Sequence, residues 1–209
     1  MNVMILNHTN DPDRLCGQAA AICTGYTGDP VQALRGALKS GHESVAEHAT
    51  FTFAIEGVSR VLLAQITRHR LASFSVQSQR YCGADMEIIL PDSFLMTDLI
   101  DDIVEAKMAV ESLYRKAVGL GVPQEDARYF TFQGGVTRMI VTMNARELRH
   151  FFALRCCTRA QWEIRKLANE MLRQCMEIAP VLFADAGPGC VRGNCPEGPK
   201  SCKRGKDNA

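Results

Sequence analysis

Between positions 68 and 80 the chain gathers three arginines, one histidine and three serines: Arg68, His69, Arg70, Ser73, Ser75, Ser78 and Arg80. Each guanidinium can donate two parallel charge-assisted hydrogen bonds, so this density suits an anion with several phosphate oxygens. Basic residues after a helix also complement its dipole and are often merely solvated. The neighbours argue for more. From Val58 to His69 the apolar spacing is helical, and Val58, Leu62, Gln65 and His69 fall on one stripe. A polar side chain on such a stripe needs a partner, so this helix end is expected to meet a polar ligand or a buried network. His69 taken alone is also consistent with a satisfied core histidine. The serines lie among arginines without an identifiable general base, and the cysteines show no activating histidine nearby in sequence, so neither is read as a nucleophile.

The elements that must carry these groups follow from period and punctuation. Val3 to Leu6 reads as a short strand, and helices are expected near Asp13 to Ile22 and from Pro30 to Lys39, with Asp29 before the second and Gly41 ending it. Thr50 to Ile55 alternates as a strand does, Met86 to Leu90 is a weaker strand ended by Pro91, and Asp98 to Val118 is a long amphipathic helix broken by Gly119 to Pro123. Val136 to Met143 is a strand, Asn144 caps a helix running through Arg155, and a last helix covers Gln161 to Ile178.

The helix from Ala145 to Arg155 contains a conflict. Leu148, Phe151 and Phe152 make its apolar face, Arg146 and His150 project together from the opposite side, and Arg155 falls back on the apolar face. A buried guanidinium requires a partner, and Glu163, Glu147, another carboxylate or a ligand all remain open.

Composition bounds the function classes. With 209 residues, 46% of them hydrophobic, the chain can bury the core of one domain, taken as 1–180. Residues 181–209, rich in Gly, Pro and Lys, read as an irregular tail. A net charge of +1 argues against a nucleic-acid partner, since sequence-independent binders carry a basic excess. Acidic residues dominate one stretch (Asp85, Glu87, Asp92, Asp98, Asp101, Asp102, Glu105), and arginines another (Arg138, Arg146, Arg149, Arg155, Arg159, Arg165, Arg173), which could hold an anionic small molecule. No signal peptide or membrane span is read, and nine cysteines, an odd count at modest density, favour a reducing cytosol. Cys190, Cys195 and Cys202 lack the paired short-loop spacing of an ordinary structural zinc site, so no metal is expected.

The run Arg68-His69-Arg70, seven residues, then Ser78 with Arg80 and Tyr81, resembles the fingerprint of the flavin-dependent thymidylate synthases. The resemblance extends to Gly41-His42-Glu43-Ser44 with Glu47-His48, to Val122-Pro123 leading to Arg128, to Asn144-Ala145-Arg146, and to Leu154-Arg155 leading to Ala160-Gln161-Trp162-Glu163, in matching order. Val76 departs from it, standing where many relatives carry Glu or Gln.

The resemblance implies an α+β fold, an antiparallel sheet with packed helices and no Rossmann element. It implies conversion of dUMP to dTMP, with methylenetetrahydrofolate as one-carbon donor and NADPH-reduced FAD as hydride source. It also implies a cytoplasmic homotetramer with active sites at subunit interfaces. On the matching positions, Gln65, Arg68, Ser78, Gln79, Arg80, Arg128 and Arg155 would hold dUMP. His42, Ser44, Arg68, His69, Arg70, Asn144, Arg146 and His150 would hold FAD. Arg155 is the catalytic expectation, its charge favouring the ionised pyrimidine N3 and stabilising negative charge as C5 becomes nucleophilic. The alternative from another class is a nonenzymatic protein that binds a nucleotide or phosphorylated ligand through the same cluster.

Overall fold

A computed structural model describes residues 1–83, 86–193 and 195–202; Asp85 of the acidic stretch, and positions 194 and 203–209 of the tail, lie outside the described residues. In chain order the elements are β1 (Asn2–His8), α1 (Pro12–Thr24), α2 (Pro30–Lys39), a 3₁₀ segment (Glu43–His48), β2 (Thr50–Ser59), α3 (Arg60–Ile66) and β3 (Ala72–Val76). They continue with α4 (Asp92–Leu95), α5 (Ile100–Gly119), α6 (Gln124–Ala127), β4 (Val136–Asn144), α7 (Ala145–Arg155) and α8 (Trp162–Ile178). The four strands form an antiparallel sheet in the order β1-β2-β4-β3, so the α+β expectation holds.

Local chemistry explains most boundaries. The Asp29 carboxylate accepts the Val31 N–H and Pro30 opens α2, because the first turn has no use for a proline N–H. At the other end Gly41 has φ 78°, its N–H bonding Leu38 O while the His42 N–H bonds Ala37 O, the paired closure of a Schellman motif. In β2 the residues Phe51, Phe53 and Ile55 point inward, then the alternation slips so that Val58 is buried. The slip falls at Gly57, whose φ of 65° permits a bulge there. In β4, Thr137, Met139, Val141 and Met143 alternate inward without a slip. Asp101 and Asp102 of the acidic stretch sit in the first turn of α5, where they complement the helix dipole.

The chain divides into two compact units. One comprises 1–2, 55–65 and 75–139, with Val58, Leu62, Tyr114 and Met139 among its buried side chains. The other comprises 3–54, 66–74 and 140–209. Its core is aromatic: Phe183 meets Phe51 and Phe152 edge-on at 5.5 and 5.8 Å, and Phe152 meets Phe151 at 5.7 Å. Full burial of each ring contributes roughly 2–3 kcal/mol. Two polar clamps close this unit. The buried Asp13 carboxylate accepts the Val181 and Leu182 N–H groups at 2.8 and 2.9 Å. Gln174 of α8 accepts the Ile5 N–H and donates to Val3 O, which satisfies part of the open edge of β1.

Three sequence readings are corrected. The helix expected from Val58 to His69 is shorter: Val58 belongs to β2 and His69 follows α3 in a turn, its N–H bonded to Ile66 O. The stripe was real as burial but not as helix, because pairing in the sheet claims the residues before Arg60. Met86 to Leu90 makes the bridge Ile88–Gly135, flanked by the Ile89 N–H to Gly134 O and Val136 N–H to Glu87 O bonds, and does not extend into a strand. β3 was not anticipated, since its Ala-Ser-Phe-Ser-Val run reads as a polar loop until it meets a partner strand.

Candidate functional site

His69 lies at the centre of a buried polar chain. Its Nδ1 meets Glu147 Oε1 at 2.9 Å, and its Nε2 accepts from Arg155 Nε at 3.2 Å. A guanidinium can only donate, so Nε2 carries no proton and Nδ1–H donates to the carboxylate. Burial, the largest cause, pulls the His69 pKa below the usual histidine value; the Glu147 hydrogen bond opposes this and the Arg155 charge reinforces it. The imidazole is therefore neutral, and its contact with Glu147 is a hydrogen bond rather than an ion pair. Its ring packs edge-on against Phe151 at 4.9 Å, and the exposed His150 ring stands 5.8 Å away.

Arg155 is half-buried at the end of α7. One of its partners is an imidazole, since Nε donates to His69; Glu147 bonds His69, and Glu163 is buried in the first turn of α8. Burial first, and the like charge of Arg68 second, lower the Arg155 pKa. Two cations close enough to disturb one another, one backed by a neutral acceptor, form a place that favours an anion. Arg68 and Arg70 are both exposed.

The helix that presents these groups starts as expected, with Asn144 Oδ1 accepting the Glu147 N–H at 2.8 Å. Arg146 and His150 project to solvent, and Arg146 forms an exposed ion pair with Glu47. His42 precedes the 3₁₀ segment that contains Ser44, without a side-chain cap. His42 and Ser44 line a cavity of about 620 Å3 beside α1 and α2.

The remaining predicted residues belong to the other compact unit. Ser78 Oγ accepts the Arg80 N–H at 3.2 Å, and Ser78 O accepts from Cys82 N, a turn that places Gln79 at its crest. Arg80 Nε donates to Glu125 Oε2 at 2.6 Å and Arg128 Nε donates to Glu125 O at 3.0 Å, so Arg80 and Arg128 both meet Glu125. Gln65, on the same unit, occupies the last turn of α3 and is half-buried.

Sequence reasoning missed Arg149, which is 1% exposed. Nε and Nη2 donate to Glu43 at 3.2 and 2.9 Å, and Nη1 donates to Leu182 O and to Asp185 at 2.7 Å. Its position three residues before Phe152 put it on the flank of the apolar face, a usable signal. Glu43 and Asp185 lie too far off in sequence to announce themselves. Within the arginine block Arg173 pairs with Glu170 and Glu177 on its own helix, and the first of these contacts, with Gln174, holds the Glu170 carboxyl at about 2. These members of the block serve the scaffold. Among the described residues no three His, Cys, Asp or Glu side chains stand close enough to hold one metal ion, and no helix is long and apolar enough to cross a membrane.

Comparison with known proteins gives concordant results. The family model described as "Thymidylate synthase complementing protein" matches residues 4–181. A flavin-dependent thymidylate synthase of Geobacter sulfurreducens is 46% identical over 97% of this chain and 94% of its own length. Its namesake in Clostridium tetani is 41% identical over 97% and 93%. That of Pyrococcus furiosus is 47% identical over 75% of this chain and 69% of its own. The crystal structure of the UMP/dUMP methylase PolB from Streptomyces cacaoi, bound with 5-Br dUMP, superposes with a TM-score of 0.77 at 20% identity, covering 88% of this chain and 93% of that one, a likeness of fold.

Proposed function

The chain belongs to the flavin-dependent thymidylate synthase family, and on that footing we propose that it converts dUMP to dTMP. Methylenetetrahydrofolate would serve as one-carbon donor, and FAD, reduced by NADPH, would supply hydride. One observation carries the reading: the family match spans residues 4–181 and so includes every candidate site residue, from His42 to Arg155. The nonenzymatic ligand-binding alternative is not favoured.

The side chains fit a flavin dinucleotide. Arg68, Arg70 and Arg146 are exposed cations suited to a pyrophosphate, the exposed His150 ring offers a flat face with ring nitrogens, and the buried His69 lies behind it at 5.8 Å. His42, Ser44 and Asn144 complete the set proposed for FAD. Gln65, Arg68, Ser78, Gln79, Arg80, Arg128 and Arg155 form the set proposed for dUMP. The phosphate would compete with Glu125 for Arg80; that surface ion pair contributes only about 0–1 kcal/mol and yields readily to a dianion.

Arg155 is the residue we assign to catalysis. Glu147 fixes the Nδ1–H tautomer of His69, and His69 in turn accepts from Arg155 Nε. The neutral imidazole orients that guanidinium without cancelling its charge. In the proposed reading that guanidinium would stabilise a uracil ring that becomes electron-rich at C5. We further propose that residues 1–180 form the catalytic domain, that the enzyme is cytoplasmic, and that a homotetramer assembles active sites at subunit interfaces.

The purified chain is expected to be yellow, to oxidise NADPH faster when dUMP is present, and to form dTMP only with methylenetetrahydrofolate. A colourless protein that binds dUMP without turnover would instead establish the binding module.

A further inference from the structure

The long helix α5 is anchored by little of its own chain. Of its 20 residues only Tyr114 is buried, and the short α4 before it buries none. Helices in folded proteins take most of their stability from packing, so a helix this long that buries one side chain leaves a long face open. Large apolar side chains stand in solvent along and beyond it. Leu95 and Met96 are 61% and 87% exposed, Met108 at its middle is 66% exposed, and Leu120 just past its end is 76% exposed. The acidic stretch, which the proposed reaction does not use, falls on the first half of the same helix.

The open face has an ordered charge pattern. Asp101, Glu105, Met108, Ser112 and Arg115 alternate spacings of i+4 and i+3, so they share one line along α5, and all are exposed. Asp102 and Lys116 flank that line. From its first turn to its last the face is acidic, then apolar, then basic. Asp101, Asp102, Glu105 and Lys116 form no ion pair among the described residues, and Arg115 pairs with Glu111 of its own helix. The helix dipole accounts for Asp101, Asp102 and Lys116 in the end turns. Its influence fades within a turn, so it does not account for Glu105, Arg115 or the exposed Met108 between them.

We propose that this face docks on the same face of a second copy, with the two α5 helices antiparallel about a two-fold axis near Met108 and Ala109. Reversal about that point sets Asp101 and Asp102 of each copy opposite Arg115 and Lys116 of the other, and Glu105 opposite Ser112. Met108 falls on Ala109, whose small side chain leaves a hole for it. Beyond the helix ends, Leu95 and Met96 meet the exposed Leu120 and Val122 of the other copy. A parallel pair would set acid against acid and base against base, so the charge order selects both the partner and its direction. Apolar contacts supply the affinity, while the exposed ion pairs chiefly fix register. A strip one helix wide and about 30 Å long is at the low end of stable interfaces. The contact is therefore one two-fold of the homotetramer proposed above, and it rests on that assembly.

The test is the mass of the full chain in solution, by analytical ultracentrifugation over a dilution series. Met108→Asp should sediment at half the wild-type mass, its association at this contact weakened at least about tenfold. Asp102→Lys and Lys116→Glu should each do the same, because each sets like charges face to face. The double variant Asp102→Lys/Lys116→Glu should recover wild-type association to within about threefold, since the pair is restored with its signs exchanged. A helix-dipole effect would accumulate in the double variant instead of cancelling. Should a variant fail to fold, methionine oxidation of the native chain decides: Met96 and Met108 must react more slowly in the assembled form than after dilution. An assembly that keeps its mass in the single variants, a double variant without recovery, or oxidation indifferent to dilution overturns this contact and leaves the assembly itself standing. A monomeric wild type overturns both, and dTMP formation is assayed separately from either.

Discussion

Arg149 and Arg155 sit six positions apart on α7 and show two opposite solutions to a guanidinium near a core. Arg149 is enclosed, with Glu43, Asp185 and Leu182 O taking its donors, and these partners outweigh burial so that its pKa rises. Arg155 leans on a neutral imidazole, feels the charge of Arg68, and has its pKa lowered. The first charge is spent inside the fold. The second is oriented by a neutral acceptor, the arrangement proposed above for stabilising an anion. The two differ in the nature of the partner as well as in burial: carboxylates for Arg149, an imidazole among the contacts of Arg155.

Four experiments bear on this contrast. Arg155→Ala should give the largest effect, lowering dTMP formation by about 10²–10³-fold or more while FAD stays bound, because it removes an interaction with developing charge. Turnover at the wild-type rate would erase the distinction. Arg149→Met should leave turnover per folded molecule intact but cost about 3 kcal/mol of stability, since Glu43 and Asp185 lose their common partner; chemical denaturation measures it. Ser78→Ala should weaken dUMP by about 1 kcal/mol and leave the flavin unaffected. Equal weakening of both in titrations would contradict the assignment of Ser78 to the nucleotide.

The smallest effect is the pH response of His69. Its folded pKa lies below the unfolded value of about 6.5, so between the two the unfolded chain binds more protons. Stability from this group is complete above the unfolded pKa and is lost as pH falls toward the folded one, where a proton on Nε2 would displace the bond from Arg155. Thermal melts of the wild type should decline below about pH 6.5 more steeply than those of His69→Gln. Parallel curves would show that His69 is not the neutral link.

Much of the fold was legible because its signals are local. Asp29-Pro30 and Gly41 bracket α2, Asn144 starts α7, alternation marks β2 and β-branched and Met content marks β4, each acting within a few residues. The failures share a cause. Val58 joins a strand, His69 lies past the turn that ends α3, and Met86 to Leu90 gains too few ladder partners to become a strand, because each outcome depends on pairing or turn formation that local period does not encode.

The site divides in the same way. By itself the sequence determined which groups are present and in what order: the Arg68-His69-Arg70 run, Ser78 and Arg80, the capped helix ending in Arg155, and through them the family. Only the tertiary structure decided their partners, setting His69 between Glu147 and Arg155, sealing Arg149 with Glu43 and Asp185, and bringing tail cysteines to the end of α7. Residue types and short spacings are written into the chain, whereas a charge is quenched or kept by contacts that exist only once segments far apart in sequence have been packed together.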